Sequence, residues 1–289
     1  MLSPKFFYDS LLNLGIKFFT GVPDSLLKEF CIHVEKSTLK NNHIISSNEG
    51  SAIALAAGNY LSTGNIPLVY LQNSGIGNAI NPLLSLADSD VYGIPMILLM
   101  GWRGEPGVND EPQHLKQGRI NENLLNALEI PYFILNGNED NIKAFLSLVI
   151  NKSKKNNCPV VILVKKNTFA KSVFSYDSNI LNQNLLSREK TISLIISNLN
   201  DDFIIVATTG QISRELYELR KKEGKKCIDF LTVGSMGHSS QIALGIALSS
   251  KKKIVCLDGD GSLLMHMGSL AINGRSEVNN FIHILLNNG

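Results

Sequence analysis

Short hydrophobic runs alternate along the chain with longer segments in which apolar residues recur every three or four positions. The short runs predict buried β-strands, and the periodic segments predict amphipathic helices. The predicted strands are 16–20, 43–48, 67–72, 94–101, 130–135, 159–165, 203–207, 227–232, 253–257 and 281–286. Because strands and helices alternate with short connections, we expect an α/β fold of open, mostly parallel sheets with helices on both faces.

Polar, glycine-containing segments follow several of these strands. Residues 21–25 predict a turn that opens a helix, 73–77 predict a loop, and a longer polar loop leads from residue 101 to a helix at about 121–129. The carboxyl ends of parallel strands meet at one edge of a sheet, where open α/β proteins bind their ligands. We therefore expect the functional residues to lie in these segments.

Apolar periodicity is lost in the polar stretch that begins near Asn167. We predict a first domain at 1–166, a linker at 167–186 and a second domain at 187–289. The segments 51–75 and 240–261 share a small-residue helix, a polar turn, an apolar strand and a glycine loop. This similarity favours two related domains. The alternative is that any alanine-rich βα unit has such a sequence.

Composition narrows the class of protein. Of 289 residues, 44% are hydrophobic and 18% charged, as in a soluble globular protein. The net charge of +2, without a basic stripe, argues against nucleic-acid binding. The most apolar window, 94–102, is too short to span a membrane, and the N-terminus lacks signal-peptide features. The four scattered cysteines suit free thiols in a reducing cytoplasm.

Two polar motifs end the last two predicted strands. Gly259-Asp260-Gly261 follows strand 253–257, and Asn287-Asn288 follows strand 281–286. Glycines allow a close approach of the backbone to phosphate, and a carboxylate with a side-chain amide offers oxygen ligands for Mg²⁺. The pair predicts a cradle for a diphosphate and Mg²⁺. The alternative is a glycine turn in an ordinary nucleotide-binding α/β protein.

Further motifs carry a family resemblance. NEGSAIALAAG, GSMGHSSQIALG and the GDG…NN pair together resemble the thiamin-diphosphate (ThDP) enzymes. The resemblance implies a pyrimidine-binding domain followed by a diphosphate-binding domain, with ThDP and Mg²⁺ as cofactors. It also implies that Glu49 hydrogen-bonds to the pyrimidine ring of the cofactor and promotes its activation. Considered alone, Glu49 is better explained as a residue that caps a helix or benefits from its dipole.

The same resemblance assigns the other cofactor residues. Met236 would hold the cofactor in its bent shape and the Gly234 carbonyl would accept from the amino group of the pyrimidine, although a methionine here is otherwise core filler. Asp260 and Asn288 would bind Mg²⁺, with Asn287 as the alternative to Asn288. The implied cofactor-binding set is Glu49, Gly210, Gly234, Met236, Gly259, Asp260, Gly261, Ser262 and Asn288.

The most specific resemblance involves GVPDSLL, LQNSGIGNAINPLLSL and MGWRGEPGVNDEPQHLKQGR, which are similar to decarboxylases of phosphonopyruvate and sulfopyruvate. It implies proton transfer by Asp24 and His114. We interpret Arg103 and Lys116 as exposed loop cations that pair with the anionic head group. The alternatives are that Arg103, Lys116 and His114 are solvated loop residues and that Asp24 caps a helix. The implied substrate-binding residues are Ser25, Asn73, Ser74, Arg103 and Lys116.

The resemblance leads us to expect decarboxylation of phosphonopyruvate to phosphonoacetaldehyde and CO₂, with sulfopyruvate as the alternative substrate. It implies a homodimer or homotetramer whose sites are completed by a neighbouring subunit. Family members continue beyond the position of Gly289, so we expect a truncated second domain, weak cofactor binding and poor activity in this form. An alternative of another class is a non-catalytic subunit that contributes half a site to a partner chain.

Overall fold

The computed structural model describes residues 1–174, 185–200, 202–224 and 228–287. The chain divides into two compact units, Met1–Asp177 and Ser178–Gly289. Residues 175–184 of the predicted linker lie outside the described residues. Phe169, at the start of that linker, is buried in unit 1, where its ring packs against Phe7. Within the described residues, none of the helices has the length and apolar character needed to cross a membrane.

Unit 1 contains a six-stranded sheet in which all paired strands are parallel. Its strands are β1 (Phe19–Gly21), β2 (His43–Ile45), β3 (Leu68–Gln72), β4 (Met96–Gly101), β5 (Tyr132–Leu135) and β6 (Pro159–Val164). Their order across the sheet is β2-β1-β3-β4-β6-β5. The long strands β4 and β6 are buried throughout, as expected for parallel strands covered on both faces.

The helices of unit 1 cover both faces of this sheet. They are α1 (Pro4–Asn13), α2 (Lys28–Ser37), α3 (Glu49–Thr63), α4 (Ile76–Pro82), α5 (Pro112–Ala127) and α6 (Ile142–Asn156), with 3₁₀ turns at Lys40–Asn42, Asn73–Gly75 and Glu139–Asn141 and a π-helical turn at Leu83–Ala87. Alternate residues of a strand point to opposite faces. Leu68 and Tyr70 therefore pack with α1, α2 and α6, while Val69 and Leu71 pack with α3, α4 and α5.

Unit 2 repeats this arrangement with four described strands. They are β7 (Phe203–Ala207), β8 (Phe230–Leu231), β9 (Lys253–Gly259) and β10 (Phe281–Leu286), parallel and in the order β10-β9-β7-β8. Its helices are α7 (Arg188–Ser197), α8 (Gln211–Glu223), α9 (Ser239–Ser249), α10 (Asp260–Met265) and α11 (Ser269–Arg275). Ile205 packs on the α7–α8 side and Cys256 on the α9 side. The predicted α/β class, with parallel sheets covered on both faces, is confirmed.

Helix α5 begins at Pro112, nine positions before the start predicted at residue 121. Proline at the first helical position is favourable because its missing N–H has no partner there in any case. The first turns of α5 escaped prediction because they bury no large apolar residue: Leu115 and Ile120 are exposed, and Gly118 forms the contact with the neighbouring loop. The loop predicted before residue 121 is therefore shorter, and His114 and Lys116 lie on a helix.

The predicted loop 73–77 is also helical, as the 3₁₀ turn Asn73–Gly75 followed directly by α4. Its glycines favour a loop. Gly75 instead allows the Glu49 carboxylate to pack against the backbone, because a Cβ at Gly75 would lie 2.2 Å from Glu49 Oε1. In unit 2, β8 is shorter than the predicted strand 227–232, and Cys227 lies outside the described residues.

We predict that Gly118→Ala destabilises the protein by about 1–3 kcal/mol, because a Cβ there would lie 1.8 Å from the Gly104 carbonyl oxygen, and overpacking of that kind forces backbone shifts. Gly58→Ala is the matched control in helix α3, where a Cβ meets nothing within 4 Å and helix propensity predicts a gain of about 0.5–1 kcal/mol. Urea unfolding measures both. Equal stability of the two variants would contradict the close packing of α5.

Candidate active site

Polar residues of unit 1 gather where three neighbouring strands end. Asp24 follows β1, Gln72 ends β3, and Arg103 follows β4. These strands are adjacent and parallel, so their carboxyl ends lie at the same edge of the sheet. A hydrogen bond connects Gln72 to Asp24, and the charge of Arg103 acts on Asp24. The edge thus carries one connected polar cluster.

Glu49 is the first residue of α3 and is only 5% exposed. The side chain of Asn48 caps the helix by accepting from the Ser51 N–H at 2.8 Å, so Glu49 is not the capping residue. Asn78 Nδ2 donates to Glu49 Oε2 at 2.8 Å, and Gly75 packs against the same carboxylate. A buried carboxylate therefore remains available for a role other than capping.

Asp24 is the second buried carboxyl group of this edge, with 4% exposure. Gln72 Nε2 donates to its Oδ1 at 2.6 Å and the Leu26 N–H donates to its Oδ2 at 2.9 Å. Burial raises the pKa of Asp24; the hydrogen bonds from Gln72 and Leu26 and the charge of Arg103 oppose this rise without cancelling it. The neutral form of Asp24, which can donate a proton, therefore persists to higher pH than that of a free carboxyl group.

Arg103 is largely buried and held in a fixed orientation, unlike the exposed loop cation predicted from the sequence. Its Nε donates to Asp110 Oδ2 at 2.8 Å, its Nη2 donates to Asp110 Oδ1, and its Nη1 donates to Ser25 Oγ at 2.8 Å. The N–H groups of Gly104 and Glu111 also donate to Asp110, each at 2.8 Å. The pair raises the pKa of Arg103 and holds the pKa of Asp110 well below its usual range.

Asn73 fixes the main chain at Arg103. Its Nδ2 donates to the Arg103 carbonyl at 2.9 Å, and its Oδ1 accepts from the Arg103 N–H at 3.1 Å. Ser74 Oγ donates to Gln72 Oε1 at 2.5 Å. The predicted direct contacts of Asn73 and Ser74 with substrate stay predictions, and within the protein both side chains position their neighbours.

His114 belongs to the same cluster through α5. Its imidazole is partly buried, and its Nδ1 is buried without a hydrogen-bond partner among the described residues. Burial lowers the pKa of His114, and the positive charge of Arg103 lowers it further, so the ring is favoured in its neutral form. Lys116 is exposed two positions along the helix. The helix is tied to β4 because Trp102 Nε1 donates to the Gly118 carbonyl at 2.9 Å.

In unit 2, Asp260 lies at the carboxyl end of β9, as the first residue of α10. Its Oδ1 accepts from the Gly261 N–H at 2.8 Å. Asn287 is exposed and directly follows the neighbouring strand β10, while Asn288 lies outside the described residues. The predicted metal pair of Asp260 and Asn288 therefore stays a prediction.

Ser262 is buried and joins three segments of unit 2. Its Oγ accepts from Thr208 Oγ1 at 2.9 Å and from the Gly237 N–H at 3.1 Å, and it also bonds to Asp258. The first two contacts connect the end of β7 and the turn before α9 to the start of α10. Ser262 thus connects, through hydrogen bonds, the loops that carry the predicted cofactor residues.

The predicted cofactor residues Gly210, Gly234 and Met236 lie in loops of unit 2. Gly210 precedes α8 with φ +93°, a conformation that side chains rarely adopt. Gly234 and Met236 lie between β8 and α9. Met236 is 43% exposed, and its Cε would lie 3.5 Å from a Cβ at Gly261. It is therefore not core filler, the alternative interpretation of a methionine here.

A buried aspartate next to the GDG turn was missed at the sequence level. Asp258 Oδ1 accepts from the Gly259 N–H at 3.0 Å, and its Oδ2 lies 3.2 Å from His283 Nε2 on β10. Burial acts to raise the pKa of Asp258, but the hydrogen bonds from His283 and Ser262 outweigh it and hold the pKa below its usual value. The ligand atoms of Cys256, Asp258 and His283 lie within 4.8 Å of one another. The His–Asp pair joins the two strands that precede the GDG and NN motifs.

Three more site residues were missed in unit 1: Gln72, Asn78 and Asp110. Gln72 carried one signal, a polar residue at the end of an otherwise buried strand. Asp110 lies inside the motif MGWRGEPGVNDEPQHLKQGR, but nothing in the sequence pairs it with Arg103. Such pairings depend on loop geometry, which hydrophobic periodicity does not encode.

Comparison with known proteins identifies the family. Residues 4–125 match the N-terminal thiamine pyrophosphate (TPP) binding domain of TPP enzymes, and residues 208–289 match the C-terminal TPP binding domain. The chain belongs to the thiamine pyrophosphate enzyme family. It is similar to the phosphonopyruvate decarboxylases of Streptomyces viridochromogenes (32% identity, covering 96% of this chain and 72% of that protein) and Streptomyces hygroscopicus (30%, 100% and 73%). It is also similar to the sulfopyruvate decarboxylase of Methanosarcina acetivorans (31%, 84% and 65%).

Membership of the thiamine pyrophosphate enzymes agrees with the resemblance drawn from the motifs, and the chain is a ThDP-dependent decarboxylase of a 2-oxo acid. The residues fit this cofactor. Glu49 lies in a niche that a Cβ at Gly75 would fill, and it is a buried carboxylate suited to a ring nitrogen. In unit 2, Asp260 and the open backbone at Gly210 supply the donor types that Mg²⁺ and a diphosphate require.

We predict that Gly75→Ala lowers kcat/KM by roughly 10²-fold while changing stability little. The added Cβ displaces the flexible Glu49 carboxylate, which costs little packing energy but moves the group that we expect to contact the cofactor. Steady-state kinetics and thermal unfolding measure the two effects. Gly58→Ala, on the same helix as Glu49, should leave activity at the wild-type level. Full activity of Gly75→Ala would argue against the placement of Glu49.

Proposed function

We propose that this family member decarboxylates phosphonopyruvate to phosphonoacetaldehyde and CO₂ with ThDP and Mg²⁺. The observation that carries the proposal is the oriented guanidinium of Arg103, fixed beside the buried carboxyl of Asp24. Two phosphonopyruvate decarboxylases match nearly the whole chain, which supports the choice of head group. Sulfopyruvate is the second candidate, because a sulfopyruvate decarboxylase is similarly related.

Arg103 is organised to receive an anion. Three of its five N–H donors have partners among the described residues, two directed to Asp110 and one to Ser25. Two donors remain for a phosphonate or sulfonate. Ser25 accepts from Arg103, so its own hydroxyl proton is available for the same oxygen atoms. Because Asn73 fixes the main chain at Arg103, little reorganisation is needed when the substrate binds.

The head group also needs charge balance. Asp110 offsets the positive charge of Arg103, so a doubly charged phosphonate requires a further cation. We assign this role to Lys116, which is exposed on α5, the helix that carries His114. A singly charged sulfonate depends less on a second cation. The effect of Lys116 on the two substrates thus reports the preferred head group.

The remaining unit 1 residues supply proton transfers. When bound, the cofactor supplies the electron sink that accepts the electron pair released as the C–C bond to CO₂ breaks. With the cofactor bound, Glu49 would hydrogen-bond to the pyrimidine ring nitrogen and orient that ring. Asp24, whose pKa is raised by burial, would return a proton to the carbon that has lost CO₂. Neutral His114 would accept the hydroxyl proton as the carbonyl of the departing aldehyde forms.

In unit 2 we assign cofactor binding to the predicted loops. Asp260 binds Mg²⁺ through its carboxylate, and Asn288 is the proposed second side-chain ligand. Gly210 and Gly261 expose backbone to the diphosphate, and Met236 supports the ring system. Support comes from the exposure of Met236 and the position of Asp260 at a strand end.

We also propose a homodimer or homotetramer in the cytoplasm. The described cysteines Cys31, Cys158 and Cys256 are buried free thiols, which suits a reducing compartment. The oligomer follows from the family resemblance and is measured by light scattering.

Assays of the purified full-length protein with ThDP and Mg²⁺ test the function directly. We predict CO₂ release from phosphonopyruvate at a higher kcat/KM than from sulfopyruvate, and a loss of about 10²–10⁴-fold in Glu49→Gln with cofactor binding retained. Turnover is followed by CO₂ release and cofactor binding by calorimetry. A preference for sulfopyruvate would select the second candidate. Turnover of neither substrate would support a non-catalytic subunit.

We predict that Arg103→Lys lowers kcat/KM for the anionic substrate about 10–100-fold, because Lys cannot keep the fork to Asp110 while contacting Ser25 and substrate. Arg119→Lys, the same change at an exposed position of α5, is the matched control and should be neutral. Pyruvate, which lacks the head group, separates recognition from chemistry. An equal loss on pyruvate would show that Arg103 does not recognise the head group.

A further inference from the structure

Gln72 connects two residues of the proposed site and has no role in the predicted set. It is the last residue of β3, following four buried positions. Its Nε2 donates to Asp24 Oδ1 at 2.6 Å, and its Oε1 accepts from Ser74 Oγ at 2.5 Å. Both ends of the amide are therefore engaged, and the strand holds its backbone.

The contacts define which end of the amide faces Asp24. Ser74 donates to the carbonyl oxygen, so the amide nitrogen points to the carboxyl group. Rotation by 180° would place Oε1 against Oδ1, two acceptors in contact unless Asp24 is protonated. Ser74 thus stabilises the orientation in which Gln72 is a donor.

Asp24 is confined from three directions. Gln72 binds Oδ1, the Leu26 N–H binds Oδ2, and a Cβ at Gly101 would lie 2.1 Å from Oδ2. The Leu26 contact is local to the turn after β1, whereas Gln72 comes from the neighbouring strand. Gln72 is therefore the side chain that ties Asp24 to the sheet.

We infer that Gln72 is a positioning residue that orients the carboxyl group of Asp24 for proton transfer and keeps it able to alternate between acid and anion. This inference rests on the proposed role of Asp24. A neutral carboxyl donates its proton only if the resulting anion is then stabilised. Burial disfavours that anion, and a donor amide at 2.6 Å favours it.

Other groups facing Asp24 act on the same balance. Arg103 in the loop after β4 favours the anion. His114 on α5 and the buried Cys31 thiol on α2 also interact electrostatically with Asp24. Burial keeps the thiol protonated by raising its pKa to about 12, and burial keeps the imidazole neutral. The side chains of Gln72 and Arg103 thus oppose the effect of burial on the pKa of Asp24.

Removing the Gln72 donor makes ionisation of Asp24 harder, so its pKa rises and the neutral form persists to higher pH. We expect Gln72→Leu to shift the corresponding limb of the kcat pH profile upward by about one to two units and to lower kcat roughly 10–100-fold. Gln117→Leu, the same change at an exposed position of α5, should leave profile and kcat unchanged.

Gln72→Glu provides a second variant of nearly the same shape. When protonated, its carboxyl can still donate to Asp24, so activity should be recovered at low pH. When ionised, it places a second anion against Asp24 and disfavours ionisation of Asp24 as loss of the donor does, so kcat should fall toward that of Gln72→Leu as pH rises. A residue with only a packing role would not produce this pH-dependent recovery.

Titration of Asp24 by ¹³C NMR, assigned by comparison with Asp24→Asn, gives a readout that needs neither cofactor nor turnover. An upward shift in Gln72→Leu supports the inference. An unmoved titration or pH profile in a folded Gln72→Leu, or a pH-independent effect of Gln72→Glu, overturns it. If Asp24→Asn keeps the wild-type activity and profile, the proposed role of Asp24 fails instead, so the two failures are distinguishable.

Discussion

The close approach of two carboxyl groups to two glycines is the constraint on which the unit 1 site depends. Glu49 lies against Gly75 and Asp24 lies against Gly101, so closely that an added Cβ would lie 2.2 Å from Glu49 Oε1 and 2.1 Å from Asp24 Oδ2. Both glycines belong to the carboxyl edge of the sheet, one after β3 and one at the end of β4. Any side chain there would displace the carboxyl group, so these positions couple backbone geometry to chemistry.

Burying carboxyl groups has an electrostatic cost, and the surrounding polar residues reduce it. Each carboxyl receives a side-chain amide donor, Asn78 for Glu49 and Gln72 for Asp24. A hydrogen bond to a buried polar group offsets part of the cost of removing it from water. The amides thus play equivalent parts at two separate carboxyl groups. Arg103 adds a positive charge, and its hydrogen bonds to Asp110 hold the guanidinium in place. The residues of the cluster thus come from the ends of several strands.

The fold class followed from periodicity because buried parallel strands and amphipathic helices have distinct patterns. Periodicity did not predict the early start of α5, because its first turns pack through Gly118 and not through large apolar residues. Residue types for the site came from motifs, but their pairings did not. Gln72, for example, contacts a residue 48 positions away, and that proximity exists only once β1 and β3 are adjacent.

Asp24 and Asp110 show how function and stability divide within this cluster. The pKa of Asp24 is raised by burial, so the folded state favours its proton and stability falls as pH rises from the unfolded pKa through the folded one. The pKa of Asp110 is lowered, chiefly by its hydrogen bond with Arg103, so it stabilises the fold above its unfolded pKa and loses this effect as pH falls. The burial of Asp24 therefore destabilises the fold as pH rises, whereas the Asp110 carboxylate stabilises it. Because Arg103 acts on both, the Arg103–Asp110 pair stabilises the same edge of the sheet at which Asp24 is buried.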